Sequence, residues 1–138
     1  MEEKIKMLDD INKKIIETDY CDKEVLGFCS DFFGDEISIF IDIDGEKCWK
    51  ISFLMCSHVQ YNTDAAWGWR KKGNLVRDMN KQQLGYYCQE LSVAENSEVE
   101  GFYDVYFDLS ILTGNITCKD IIVEQIPLEQ VNRFWETN

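Results

Sequence analysis

Cys56 and His58 are the first residues to weigh for chemistry, because His58 is the only histidine in the chain. Two apart on an extended strand, a thiol and an imidazole point to the same face. Asp64 or Asp31 could then orient the ring. No Gly-rich oxyanion turn accompanies the pair, and the plainer reading is a core cysteine beside an edge histidine. A structural zinc needs ligands in closely spaced clusters. The six cysteines lie 8, 19, 8, 32 and 30 residues apart, with no C-x-x-C. Asp42-Ile43-Asp44-Gly45-Glu46 gathers carboxylates but lacks the third early ligand and the closing Glu of a calcium loop, so the run reads as a hairpin turn. Among 26 acidic residues nothing singles out a glycosidase pair. Gly68, Gly73 and Gly85 form neither a P-loop nor a dinucleotide fingerprint. The expectation is a chain with no catalytic residue, no metal and no cofactor.

Two segments suit binding better than catalysis. Residues 70–81 hold Arg70, Lys71, Lys72, Arg77 and Lys81 against Asp78 alone, a net of +4 that leaves −16 on the rest of the chain. Trp67, Trp69 and Arg70 lead into this run, and Trp and Arg give large contact area for each residue ordered. They could anchor a partner, or the two indoles could cover the core while the cations balance local acidity. Nucleic acid is the poorer ligand, since the remaining carboxylates would repel its phosphates. The second segment is the polar turn from Ala94 to Gly101, whose Glu95, Glu98 and Glu100 would steer a basic partner.

The elements that must position these residues alternate in period. Ile5, Leu8, Ile11, Ile15 and Ile16 form one apolar stripe on a helix over 2–18. Val25–Phe33 reads as a first strand. Ile37, Ile39, Ile41 and Ile43 alternate with polar or outward residues, as do Trp49, Ile51, Phe53 and Met55, and Asp44-Gly45 between them is a favoured type I′ pair. Residues 62–81 show no sustained period and read as a long structured connection. Strands return over 84–93 and 103–111. Thr113-Gly114-Asn115 reads as a turn into a strand over 116–126, and Pro127 opens a last helix on which Leu128, Val131, Phe134 and Trp135 share a face. The predicted architecture is one α+β domain over 1–138, a twisted antiparallel sheet of about six strands with an N-terminal and a C-terminal helix. A split β-barrel with helices is the alternative.

A 138-residue chain with 45% hydrophobic residues can build one sizeable core. The formal charge of −12 repels nucleic acid and anionic membrane and favours a basic protein partner. The opening Met-Glu-Glu-Lys-Ile-Lys lacks a secretory apolar stretch, and six cysteines in a core that needs no staples read as free thiols. The cytoplasm is the expected compartment.

Ser30–Ile39, followed by Lys47–Phe53 and then Ile116–Ile121, resembles the small acidic α+β immunity proteins that accompany bacterial polymorphic toxins. The likeness spans about two-thirds of the chain and lies in strand–turn–strand spacing, size and acidity; it carries over no functional residue. It implies a cytoplasmic inhibitor that blocks one cognate toxin, and the acidic surface suits a basic target. Two other classes stay open on the residues alone: a small-ligand or regulatory domain with an aromatic pocket, and an unusual thiol or acid-pair hydrolase. Self-association is not legible.

Overall fold

A computed structural model describes residues 2–64 and 75–137. Helix α1 (Glu2–Glu17) uses the predicted stripe in part: Ile15 is buried and Leu8 and Ile11 pack on the core, whereas Ile16 faces out. The Thr18 hydroxyl donates to the Ile15 carbonyl at 2.6 Å, and Asp19 ends the helix in the left-handed region at φ 50°.

Among the described residues nine strands follow. In chain order they are β1 (Lys23–Asp31), β2 (Glu36–Asp42), β3 (Lys47–Leu54), β4 (His58–Thr63), β5 (Tyr87–Cys88), β6 (Glu90–Glu95), β7 (Tyr103–Asp108), β8 (Leu112–Cys118) and β9 (Asp120–Pro127). A one-turn helix α2 (Lys81–Leu84) precedes β5. All pairings are antiparallel, in two open sheets ordered β5-β1-β2-β3-β9 and β4-β8-β7-β6. The antiparallel character is as predicted, but the single sheet of six strands is replaced by two sheets, and neither closes into a barrel.

The β2–β3 hairpin keeps the predicted face except at Met55, which lies beyond the end of β3 and is exposed. Ile37 opposes Phe53, Ile39 opposes Ile51 and Ile41 opposes Trp49; Ile37, Ile39, Ile41, Ile51 and Phe53 are fully buried. Its turn is looser than a two-residue type I′ loop: only Gly45 has positive φ, and the Asp44 carboxylate accepts the Glu46 and Lys47 amides at 3.0 Å each. Those two bonds hold the Asp44 carboxyl below its ordinary range. The face meets the second sheet, packing with Val105, Phe107, Ile116 and Leu91, and Ile15 of α1 joins the same cluster. Phe28 stacks edge-on to Tyr61 at 5.2 Å and tilts on Phe107 at 5.5 Å, while α1 lies along the outer strands β6 and β9.

The sheets are joined by one bent ribbon. Strand β3 pairs with β9 up to Leu54↔Asp120, and pairing resumes as β4 with β8 from His58↔Thr117. Three residues, Met55–Ser57, thus face two, Cys118 and Lys119. That one-residue bulge turns the ribbon from one sheet into the other. Met55 takes φ 55°, the Lys119 amide donates to the Leu54 carbonyl at 3.1 Å, and the Ser57 amide donates to the Thr117 carbonyl at 2.8 Å.

Two further expectations are corrected. Thr113-Gly114-Asn115 lies within β8, not at a turn. A Cβ at Gly114 would meet the Gln60 carbonyl, the Phe107 ring at 2.7 Å and the Tyr61 Cβ at 2.8 Å, so this strand position accepts only glycine. The expected C-terminal helix is two 3-10 turns, Leu128–Gln130 and Phe134–Thr137, separated by an extended Val131. The Leu128 amide is already held by the Glu46 carbonyl at 2.9 Å. The extended step lets both Leu128 and Val131 bury against Leu26 and Cys48. All six cysteines are free, with Cys48, Cys88 and Cys118 buried.

Gly114→Ala tests the sheet packing. The added methyl should cost at least about 2 kcal/mol in urea unfolding, within the range for overpacking. A change below about 0.5 kcal/mol would mean that β4 and β7 do not close on this residue.

Candidate functional site: an acidic ridge along the corner

The bulged ribbon brings strand ends from both sheets to one line. Across it stand in turn the β1–β2 turn, the Met55–Ser57 bulge, the Cys118–Asp120 step and the β6–β7 turn. From end to end this crosses about five strand spacings, roughly 24 Å. These segments carry Asp31, Asp35, Glu36, Glu95, Glu98, Glu100, Asp104 and Asp120 against Lys119, beside His58. Every one of the eight carboxylates is exposed except the half-buried Glu36. The fields of these groups overlap on the residues between them. Burial first, then Asp35, raises the Cys56 thiol, while Glu95 and Asp120 add to the burial that raises the Tyr103 phenol. Away from the ridge, Lys81 pairs with Glu24 at 3.1 Å and Arg133 with Glu136 at 3.2 Å.

The β6–β7 turn is built before any partner arrives. The Asn96 side-chain oxygen accepts the Glu98 amide at 2.9 Å and the Val99 amide at 2.7 Å. Its NH2 donates to the Asp104 carboxylate at 3.0 Å, which also accepts the Thr117 hydroxyl at 2.9 Å. The Asn96 amide donates to the Phe102 carbonyl, and Gly101 supplies φ 84°. Glu95, Glu98 and Glu100 line a hollow of about 270 Å³ floored by Phe102 and Tyr103. The three glutamates singled out in the sequence are therefore together on one ordered turn.

Trp67, Trp69 and Arg70 lie outside the described residues. The Asp64 amide donates to the Ile111 carbonyl at 2.9 Å, at the end of β4 remote from the ridge. Sequence reasoning weighed Asp31 only as an orienter of His58 and missed Asp35, Glu36, Asp104 and Asp120, because only the corner sets them in line with the glutamate turn. For Asp31, Asp35 and Glu36, clustering around Gly34 was the available signal.

The Cys56–His58 pair does not form as read. The bulge breaks strand alternation between them, leaving Cys56 half-buried and His58 exposed. The Cys56 thiol donates to the Phe53 carbonyl at 3.3 Å and is pushed up to about 11 by burial, then by Asp35. It stays protonated at neutral pH and is a poor nucleophile. Among the described residues no group of three or more His, Cys, Asp or Glu is arranged to hold a metal ion, and no helix is long and apolar enough to cross a membrane. An apolar hollow bordered by Leu26, Phe28, Tyr86, Leu109 and Trp135 measures about 230 Å³, below the usual size of small-molecule sites.

Fold and surface together define an acidic α+β protein of two antiparallel sheets joined at a carboxylate-lined corner. The family model for Immunity protein PIM7 matches residues 7–125, and the chain belongs to that family. The expected likeness to immunity proteins is thus correct, and membership implies a toxin as protein partner. No curated protein matches the chain. The fold is similar to the crystal structure of an uncharacterized protein from Neisseria gonorrhoeae, with a TM-score of 0.51 and 10% identity over 76% of this chain and 92% of that one.

Asn96→Ala removes three hydrogen bonds from the acidic turn and should lower stability by about 1–2 kcal/mol in chemical unfolding. A loss under about 0.3 kcal/mol would show that the backbone alone orders the turn.

Proposed function

We propose that this chain is a cytoplasmic immunity protein that binds a basic toxin domain and blocks it by occlusion, with no chemistry of its own. The supporting observation is the ridge: eight carboxylates against one lysine, on turns whose hydrogen bonds are already made. Exposed like charges along one line attract a cationic surface from a distance and orient it on approach. Because the turns are ordered beforehand, little conformational entropy is lost when the partner seats. Free thiols throughout the chain suit a reducing compartment.

In this reading the ridge steers and a smaller set of desolvated side chains holds. Trp67, Trp69 and Arg70 remain candidates for the second role by composition. Glu95, Glu98 and Glu100 belong to the first.

An immunity protein of this kind accompanies its toxin, so the probe is the toxin domain encoded by the adjoining gene, and stopped-flow association with it tests the proposal. Raising salt from 50 to 500 mM should slow association by about tenfold or more and change dissociation by less than about threefold. Replacing Glu95, Glu98 and Glu100 together with Gln should reproduce most of that slowing at low salt. An association rate indifferent to both would remove the ridge from the account. A wild-type chain that does not bind the toxin domain would remove the immunity reading itself.

A further inference from the structure

Two phenylalanines occupy the one place on the ridge where the fold gives them nothing to do. Phe32 and Phe33 form the turn between β1 and β2, 73% and 111% exposed relative to a fully accessible residue. Both lie in the left-handed region, at φ 53° and 59°. That conformation suits Gly or Asn and is rare for bulky side chains. Gly34 follows at φ 91°, so three successive residues are left-handed and the turn projects both rings outward. The base of the turn is fixed by the Asp35 amide on the Phe32 carbonyl at 3.1 Å and the Cys56 amide on the Asp35 carbonyl at 2.9 Å. The result is a protruding apolar knob flanked by Asp31, Asp35 and Glu36.

We propose that Phe32 and Phe33 are the anchor of the toxin contact, entering an apolar pocket on the toxin domain whose rim is basic. This rests on the immunity reading and adds to it the residues that hold rather than steer. Large aromatic side chains that become fully desolvated at the centre of an interface carry most of its affinity. The flanking carboxylates decide what kind of pocket can accept the knob. A second copy of this chain would set Asp31, Asp35 and Glu36 against their own equivalents, with a charge of −12 on each side. An anionic membrane would meet the same carboxylates. A cationic rim pairs with them and leaves both rings in an apolar centre.

Phe33→Asn and Phe33→Gly test this, because both replacements fit the backbone better than phenylalanine does. Binding to the toxin domain of the adjoining gene should weaken by about thirtyfold or more, through faster dissociation. The melting temperature should hold or rise by a few degrees, roughly 2–5 °C. Binding weakened less than about tenfold while the wild type binds normally would overturn the knob as anchor and leave the immunity reading standing. A fall in melting temperature would assign Phe33 to the fold and also overturn it. A wild-type dimer in sedimentation that dissociates in either variant would make a second copy the occupant, contrary to the proposal. Absence of wild-type binding would remove the immunity reading, and this inference with it.

Discussion

One extra residue in a two-stranded ribbon determines the layout of this protein. Residues 55–57 oppose only Cys118 and Lys119, and the mismatch bends β3–β9 into β4–β8. Without the bend the two apolar faces would lie side by side on one extended sheet. With it, Ile37, Ile39, Ile51 and Phe53 of the first sheet bury against Val105, Phe107 and Ile116 of the second. Met55 bears the local cost by adopting φ 55°, of the order of 1–2 kcal/mol for a residue with a Cβ. Burial of a single side chain such as Phe53, worth about 1.5–3 kcal/mol, offsets it. Residues at the bend are tied in pairs, Leu54 to Lys119 and Ser57 to Thr117, so the corner is a joint with fixed geometry.

The same joint creates the electrostatic feature. Bending the ribbon aligns the strand ends of both sheets, and the turns at those ends are rich in Asp and Glu. Their mutual repulsion is affordable because nearly all are exposed. Two unit charges 7–10 Å apart in water repel by only about half a kcal/mol, and salt reduces this further. Asp104, which accepts from Asn96 and Thr117, shows how local hydrogen bonds hold a carboxylate within the crowd. A cationic surface docked here would exchange that repulsion for attraction, as the proposed contact with a basic partner requires.

Local signals in the sequence were legible where one residue type could mean only one thing. The β2–β3 hairpin follows from alternating isoleucines around Asp44-Gly45, and the glutamate turn from a polar run between two alternating segments. Gly114 misled because glycine serves both turns and close backbone approach, and only the position of Phe107 tells them apart. Leu128, Val131, Phe134 and Trp135 have helical spacing, yet the bond that the Leu128 amide donates to the Glu46 carbonyl and the shared burial with Cys48 draw the segment into separate 3-10 turns. Phe32 and Phe33 looked like the end of a strand, since nothing in their types announces a left-handed turn. The alignment of Asp35 with Glu98 depends on a bulge at Met55–Ser57, 20 residues after the first (55 − 35) and 41 before the second (98 − 57), and no local pattern encodes it.

Amide hydrogen exchange on the chain, alone and saturated with the toxin domain of the adjoining gene, tests the central claim most directly: that the corner ridge is the face that meets the partner. The account predicts new protection in the segments 31–36, 95–104 and 118–120. Protection confined to the opposite strand ends, around 43–47, 109–112 and 128–135, with the ridge exchanging as before, would contradict it.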